Sequence, residues 1–410
     1  MRHDLKRRLQ ATCAGMLAVA IALGGATGAS GYTFDEVVTD VRQGVAISGG
    51  GSACPVRAHQ LSAAGSIAVQ WSTALSTSPV TILTQDQTAS GQLNEIEQVI
   101  TQSLAAWMAV DGTTLTPAAL GPLSRTATAN ACAADGVNSI CFDQEDGAFT
   151  PGVLAFTRVI TADTIGEQVG SSVAATQIGQ ILDADIYFDP SDSSITFATP
   201  AALAANPLAY DMESLMTHEF GHLLGFSHSA MWGAMMYPYA PAPGTFNGAR
   251  PTPQQPDALL ADDDRTGLRA VYPSPSDSAN VGSISGRILY ANSLSLPASP
   301  PGVTGIFGAH VVAVDTASGA VIAGTVGGWS CVAPGPAQFD GTYTIERLPV
   351  GHSYTVYAEP LDGVVAPAQI LPAISSLCRN STTDAGWPPL QGCVVPAVDT
   401  SFTTRTRPSS

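Results

Sequence analysis

The chain has few basic residues and little charge of either sign. Its 410 residues include 16 lysines and arginines against 33 aspartates and glutamates, for a formal net charge of −17, and Lys6 is the only lysine. Such acidity excludes the basic face that nucleic-acid binding requires. Charged residues make up 12% of the chain, about half the usual share of ~25%. Because 45% of the residues are apolar, the chain can bury a sizeable core and is not expected to be disordered.

The chain has a single long apolar run, Ala14–Gly25, which is shorter than the ~20 residues of a membrane span. It follows a basic stretch (residues 2–8) and precedes small residues (26–31). This order is typical of a secretory signal peptide with cleavage near Ala29. We therefore expect residues 1–29 to be removed and the mature chain to be secreted, or periplasmic, without membrane insertion. A membrane anchor is the disfavoured alternative.

Cysteine pairs of the C-x-x-C type are missing among the seven cysteines, which disfavours a cysteine-ligated zinc site. Cys13 falls in the predicted signal peptide, and six cysteines remain. An even number in a secreted chain predicts three disulfides. Cys132 and Cys141 are close enough to pair locally, whereas Cys54 has no partner assigned by sequence. Two of the last three are expected to pair with each other: Cys331, Cys378 and Cys393.

Shifts in composition divide the chain into segments. Residues 30–65 are rich in glycine and serine and are expected to form an N-terminal arm or a short pro-segment. Residues 66–273 carry mixed helix and strand patterns, and a Pro/Ser-rich linker follows at 274–281. Residues 282–400 carry an all-β pattern, and residues 401–410 form a tail. The expected fold class is α+β, followed by a small all-β sandwich.

Hydrophobic periodicity predicts three helices, at 94–110, 212–224 and 262–270. A strand is predicted before the first helix, at 79–83, and three more between the first and second helices, at 137–142, 152–160 and 184–188. After the linker, turn signals separate five short strand-like runs: 283–290, 310–315, 320–325, 342–347 and 353–359.

One stretch carries recognisable chemistry, the sequence HEFGHLLGFSH from His218 to His228. On a helix capped by Asp211, His218 and His222 are four residues apart and present both imidazoles on one face. Gly225 permits the positive φ that ends a helix sharply. The turn is therefore expected to bring His228 round as a third metal ligand.

Three protein ligands leave one coordination position open, which marks a catalytic rather than a structural zinc site. Zinc there would lower the pKa of a water molecule and polarise a substrate carbonyl. Glu219 lies beside the first ligand and is predicted to act as the general base that later delivers the proton to the leaving amine. The remaining histidines lie outside this motif: His3, His59, His310 and His352.

The full pattern HExxHxxGxxH resembles the metzincin clan of zinc peptidases, and Ser229 directly after it is the residue type found in matrixins. Ala234–Pro238 resembles the clan's Met-turn, which implies that Met236 packs beneath the zinc without ligating it. The resemblance covers residues 66–273. It implies a twisted mixed sheet with three helices, and a secreted endopeptidase that cuts extended polypeptides with a zinc-activated water.

The resemblance extends to neighbouring segments. Val153–Arg158 resembles the family's edge strand, which pairs with extended substrate. Asp183–Asp189 resembles the strand before the active helix, and Leu260–Tyr272 resembles the closing helix. The resemblance therefore implies four substrate-contacting residues on the edge strand: Val153, Leu154, Ala155 and Phe156.

The departures from the family limit the cofactors. The second, structural zinc of the animal enzymes uses histidines that this chain lacks, so one zinc is expected. Calcium is a further candidate at four aspartates, although exposed acids are more often solvated; they are Asp183, Asp185, Asp189 and Asp192. The family's pro-segment cysteine motif is not recognisable. Cys54 could block the zinc as a thiolate, but a disulfide is favoured.

The carboxyl-terminal region resembles the transthyretin-like, carboxypeptidase-regulatory β-sandwiches. The resemblance is carried by Ser285–Ile288, Gly308–Val311 and Gly341–Ile345, with Leu348–Gly351 after them. The two histidines of this region are expected to be surface or packing residues rather than ligands.

Other function classes stay open. The chain could be a secreted binding or adhesion protein with a vestigial peptidase, although no catalytic position is substituted. A zinc enzyme of another class, such as an amidase, is disfavoured by the Met-turn. The expected partners are protein or peptide substrates, and a monomer is favoured. Substrate preference should depend on the pocket wall within Tyr237–Pro256, which the sequence does not reveal.

Overall fold

The structure is a computed structural model. It describes residues 57–76, 78–128, 131–142, 152–162, 164–188, 194–290, 303–330 and 338–361, together with the backbone of three short strands before residue 57. The predicted signal peptide and tail lie outside the described residues. So do several residues singled out above: Cys54, Asp189, Asp192, Cys331, Cys378 and Cys393.

Helices α1 (Ala89–Met108), α2 (Pro200–Leu203), α3 (Met212–Leu223) and α4 (Asp262–Val271) form the helical part of the described chain. The three longer helices correspond to the three predicted ones. The first begins five residues earlier than expected because Thr88 caps it, with its Oγ1 accepting from the Gly91 N–H at 3.1 Å. No helix in the described part of the chain combines the length and the apolar character that crossing a bilayer requires.

The strands before α3 are, in chain order, β1 (Thr33–Glu36), β2 (Val45–Ala46), β3 (Pro55–Val56), β4 (Ile67–Ser72), β5 (Thr81–Leu83), β6 (Leu120–Thr126), β7 (Ser139–Cys141), β8 (Val153–Thr161), β9 (Ile181–Phe188), β10 (Thr196–Ala198) and β11 (Tyr210–Asp211). Six of them form one mixed sheet in the order β1-β8-β9-β7-β4-β6. Strand β9 is antiparallel to β8, while the other four pairs in this sheet are parallel. Strand β6 contains Gly121 and Pro122 and was not predicted, but its position at the sheet edge tolerates both.

The main core lies between this sheet and helices α1 and α3. Trp107 of α1 is fully buried, and its indole N–H donates to the carbonyl oxygen of Thr217 in α3 at 2.8 Å. Its ring also contacts Phe226, with centroids 5.1 Å apart. Leu215, Leu223 and Leu224 are buried in the same core, as their spacing predicts. The core therefore fixes α3, which carries two of the candidate ligands.

One predicted disulfide is confirmed. Cys132 and Cys141 are bonded to each other, with Cα atoms 6.1 Å apart. Both are buried beside Phe156 and Tyr187, whose rings stack 4.7 Å apart. The bond therefore lies against β8 and the carboxyl end of β9.

The region after α4 contains β12 (Val281–Arg287), β13 (Ala309–Asp315), β14 (Val321–Val326), β15 (Thr342–Pro349) and β16 (Tyr354–Pro360). These form a two-stranded sheet, β12-β15, and a three-stranded sheet, β14-β13-β16, both antiparallel. The two sheets share one apolar cluster, to which Ile345 and Leu348 contribute from the first and Val311 and Ala358 from the second. Strands were expected at all five positions. The likeness to a transthyretin-type sandwich stays a prediction.

Candidate metal centre

Helix α3 is buried along its whole length and is fixed at its first turn. The Asp211 carboxylate caps it by accepting from the N–H of Ser214 at 2.9 Å, as predicted. Arg250 then neutralises this end of the helix, because its two terminal nitrogens contact Asp211 and Glu213, each at 2.7 Å. Sequence reasoning missed Arg250, which has no fixed spacing from the motif.

Gly225 ends α3 in the left-handed conformation, with φ +97°. A side chain there would place its Cβ 2.5 Å from the backbone oxygen of Ala58. Only glycine fits both demands. The turn brings His228 to His218 and His222, and the three buried imidazoles each have a ring nitrogen within 4.8 Å of the others.

Backbone carbonyls fix the protonation of two of these rings. The Nδ1 of His218 lies 2.7 Å from the carbonyl oxygen of Met235, and the Nδ1 of His222 lies 2.7 Å from that of Phe226. A carbonyl oxygen only accepts, so each Nδ1 carries the proton and each Nε2 carries a lone pair. The two Nε2 atoms are 3.1 Å apart. Two facing lone pairs repel unless a cation lies near them, so this arrangement fits a metal ion.

Burial keeps these rings neutral, which is the form that binds metal. It lowers the pKa of His222 to about 4 and the pKa of His218 well below the ordinary value. Neutral imidazoles suit zinc. In His218 and His222 the other ring nitrogen, Nδ1, is held by a backbone carbonyl. The histidine cluster could therefore hold one metal ion. Among the described residues it is the one cluster of at least three such groups that could.

Glu219, directly after His218 in the sequence, is fully buried. In the described part of the chain, one of its carboxylate oxygens is hydrogen-bonded and the other is not. Its Oε2 accepts from the hydroxyl of Thr157 at 2.6 Å. Its Oε1 has no hydrogen-bond partner among the described residues. Burial raises the pKa of Glu219 to about 8, against the opposing effect of the Thr157 hydrogen bond. Thr157 was missed, because no sequence spacing relates a residue of β8 to one of α3.

Met236 lies directly against the ligand helix. It is buried, and a Cβ added to Gly221 would collide with its sulfur. The Met-turn is held from α4, where the Asp264 carboxylate accepts from the N–H of Met235 at 2.7 Å and of Met236 at 3.2 Å. Asp264 therefore fixes the position of Met236, and it too was missed by sequence reasoning.

The close contact beneath the helix leads to a prediction for Gly221→Ala. The added methyl would overlap the Met236 sulfur and approach the Trp107 ring within 2.9 Å. Overpacking of this kind costs about 1–3 kcal/mol, so the urea midpoint should fall. Gly282→Ala is the matched control, because its nearest neighbour would be Val350 Cγ1 at 3.8 Å. Equal midpoints for the two variants would contradict the packing described.

The predicted substrate strand differs from expectation at its outer side. Val153, Leu154, Ala155 and Phe156 lie in β8 and are all buried. The strand pairs with β9 on one side, but on the other it pairs in parallel with β1, with Thr33 opposite Val153 and Asp35 opposite Phe156. On that side the arm of the same chain therefore satisfies backbone groups that an edge strand would leave unpaired, and the role of these four residues as a substrate strand stays a prediction.

Two of the proposed calcium ligands, Asp183 and Asp185, are buried on β9. Each accepts a backbone N–H, from Gly136 at 2.8 Å and from Ser139 at 3.0 Å. Burial raises the pKa of Asp183 to about 6 and the pKa of Asp185 to about 8. No calcium ligand set is formed by these carboxylates within the described residues, and calcium stays a prediction.

The Asp185 carboxyl gives the folded protein a pH dependence. Its pKa of about 8 in the folded chain exceeds the ordinary value of 3.8, so the folded state holds the proton more tightly than the unfolded state. The contribution of this carboxyl to stability should therefore be greatest below pH 4 and fall as the pH rises toward 8, by at most about 1.4 kcal/mol per pH unit.

Asp185→Asn should flatten this slope, because the amide oxygen still accepts from Ser139 and no longer titrates. Urea unfolding at pH 5 and pH 8 measures the difference. An unchanged slope in the variant would refute the assignment to Asp185. Calcium that stabilises the wild type at pH 8 but not the variant would instead support the calcium prediction.

Comparisons with known proteins agree with this geometry. Residues 156–273 match the family model Peptidase_M10, described as Matrixin. The chain is 33% identical over 114 residues to Metalloendoproteinase 1 of Glycine max, covering 27% of this chain and 30% of that protein. It is 32% identical over 114 residues to Interstitial collagenase of Bos taurus, covering 28% of this chain and 20% of that protein.

A third relative, Metalloendoproteinase 1-MMP of Arabidopsis thaliana, is 35% identical over 99 residues, covering 22% of this chain and 24% of that protein. The chain thus spans less than a third of the length of each of these relatives. The matched region supports a metzincin-like zinc metallopeptidase. It includes the three histidines, Glu219 and the Met-turn, whereas the β-rich region after α4 lies outside it.

Proposed function

We propose that the chain is a secreted zinc-dependent endopeptidase that hydrolyses extended polypeptides. The observation that carries this proposal is the pairing of three converging, buried imidazoles with a buried carboxylate, one oxygen of which has no hydrogen-bond partner among the described residues. A purely structural metal site has no need of the second feature. No observation favours an adhesion protein or an amidase over this function.

The residues of the chain have distinct roles in the proposed reaction. His218, His222 and His228 would hold zinc, which supplies an acidified water and a polarised substrate carbonyl. Glu219 would take the proton from the attacking water and deliver it to the leaving amine. Thr157 orients Glu219 by donating to Oε2, so that Oε1 remains available for the water. Burial raises the pKa of this carboxyl above its ordinary value, which makes the carboxylate a stronger base toward water.

The test is hydrolysis of casein and of a quenched fluorescent peptide by the purified protein, with and without a zinc chelator. The proposal expects internal cleavage that the chelator stops. Cleavage that continues in the presence of the chelator would overturn it. A peptide library would then give the cleavage preference, for which Tyr237–Pro256 is the proposed pocket wall.

The arm is part of the same proposal. Extended substrate would pair with β8 along the side that β1 occupies, so the segment 30–65 would act as a pro-segment. Removal of residues 1–29 on export, a β-sandwich over 282–400 and a monomeric state are likewise proposed. The signal-like amino terminus supports the first of these and the two sheets with a shared core support the second. The monomeric state follows from the sequence resemblance.

Disrupting β1 should activate the enzyme. Replacing Thr33–Glu36 by Gly-Pro-Gly-Pro removes the N–H groups of residues 34 and 36 and disfavours strand conformation. The competing strand would then dissociate more readily, and kcat/KM should rise about tenfold for each 1.4 kcal/mol of pairing lost. The same replacement at 274–277 is the control, because that segment makes no pairing with β8. An unchanged kcat/KM in the β1 variant would mean that the arm does not compete with substrate.

A further inference from the structure

The β-rich region after α4 reaches the loop that carries the third candidate ligand. Ser229, directly after His228, donates its hydroxyl to the Asp263 Oδ2 at 2.6 Å. The other oxygen of the same carboxylate, Oδ1, accepts from the backbone N–H of Gly324 in β14 at 2.8 Å. Asp263 lies in α4 and is 3% exposed. One buried carboxylate thus joins the ligand loop to the β region.

Ser229 forms two hydrogen bonds within this loop. Its Oγ accepts from the N–H of Met231 at 3.1 Å, and its own N–H donates to the carbonyl oxygen of Met236 at 2.6 Å. The hydroxyl can serve both partners because it accepts from one and donates to the other. A contact that fixes the position of Ser229 therefore also fixes the segment between His228 and the Met-turn.

Strand β14 is suited to this contact because it lies at the edge of its sheet. Among the described residues it pairs with β13 alone, so an outward N–H can be donated elsewhere. Gly324 permits the close approach, since a Cβ there would lie 2.8 Å from the Cε of Met231 and 2.6 Å from the Nε2 of His310. A side chain at this position would have to displace the Met231 side chain or the His310 ring.

Apolar contacts reinforce the same junction. Met231 and Ala234 of the ligand loop form one buried cluster with Val312, and Val314 packs against it. Tyr237, directly after Met236, forms another with Leu361, and this cluster is extended by contacts such as those of Val326 and Trp329. The β region therefore covers the loop at Met231, Ala234 and Tyr237, while Trp232 between them is exposed.

We propose that Asp263 is a positioning residue through which β14 holds the His228 loop, so that the β region is a part of the metal centre. This inference rests on the proposed function, in which the three histidines bind zinc. A carboxylate that accepts two hydrogen bonds in a buried site forms strong, charge-assisted contacts. Outer-shell partners of metal ligands typically contribute 10–100-fold to metal affinity, and Asp263 acts one residue away from a ligand.

The test uses the full-length protein and measures zinc affinity by chelator competition, together with the visible spectrum of the cobalt-substituted form. Asp263→Ala should weaken zinc binding about 10–100-fold and change the cobalt spectrum. Asp263→Asn should retain most of the affinity, because its amide can still accept from Gly324 and donate to Ser229. Ser229→Ala should resemble Asp263→Ala, which keeps the test informative if the latter fails to fold.

Arg57→Gln is the matched control. Arg57 also contacts the β region, by pairing with Glu346, and it donates to the Ala270 oxygen of α4; neither partner belongs to the ligand loop. Its zinc affinity and cobalt spectrum should equal those of the wild type.

Unchanged affinity in both Asp263→Ala and Ser229→Ala would overturn the inference, as would an equal loss in Arg57→Gln. These outcomes are distinct from failure of the proposed function. In that case the wild type itself would bind no zinc or would hydrolyse no peptide, whatever the variants do.

Discussion

A Glu219→Gln variant should bind zinc as the wild type does and hydrolyse peptides about 10²–10⁴-fold more slowly, the range attributed to a positioned general base. The amide keeps the size of the side chain, and its oxygen can still accept from Thr157. What it loses is the ability to take a proton from water. Metal analysis and kcat/KM for one quenched peptide, measured on the same preparation, provide the comparison.

Thr157→Val is the companion to this variant. It removes the hydrogen bond that lowers the pKa of Glu219, so the pKa of Glu219 should rise further and the pH profile of hydrolysis should move to higher pH. The loss in rate should be smaller than in Glu219→Gln, because the carboxylate remains. For Glu219→Gln, full activity would contradict the mechanism. Loss of zinc together with loss of rate would show that Glu219 supports metal binding and not proton transfer.

His222→Ala should lose both zinc and hydrolysis. The residue supplies one of three ring nitrogens that lie within 4.8 Å of one another, and its removal leaves the facing Nε2 of His218 without its neighbour. Zinc affinity should fall by more than the roughly 100-fold that loss of an outer-shell partner can cost. Dialysis against zinc followed by metal analysis checks the first effect, and the peptide assay checks the second.

His352→Ala is the histidine control for this variant. His352 lies in the β region, where it pairs with Asp315 at 2.5 Å and its side chain is half exposed. Zinc content and hydrolysis should stay at wild-type values. Retention of a full equivalent of zinc by His222→Ala, or loss of zinc by His352→Ala, would show that the ion is bound elsewhere.

The helix with its ligands was predictable because the information is local. A four-residue spacing, an N-cap and a glycine at the end define α3 whatever surrounds it, and Asp211 and Gly225 act as their residue types predict. The start of α1 was missed because the cap at Thr88 stands outside the apolar pattern that predicts the rest of the helix.

The residues that complete the centre were not predictable from spacing. The hydrogen-bonded residues Thr157 and Glu219 are 62 positions apart in the sequence, and Asp263 and Gly324 are 61 apart. Such contacts depend on how strands and helices pack. The arm is a similar case. Strand β1 pairs with a strand more than a hundred residues further along the chain, and its own sequence, Thr-Phe-Asp-Glu, carries no strong strand pattern.

The most direct test of the whole account is a zinc titration of protein stripped of metal. Zinc is added in small steps, each a fraction of one equivalent, until the total exceeds one equivalent. Peptide hydrolysis is measured after each addition. The account predicts no hydrolysis at the start, a linear rise and a break at one zinc per chain. Hydrolysis in the stripped protein, or none at one full equivalent of bound zinc, would contradict it.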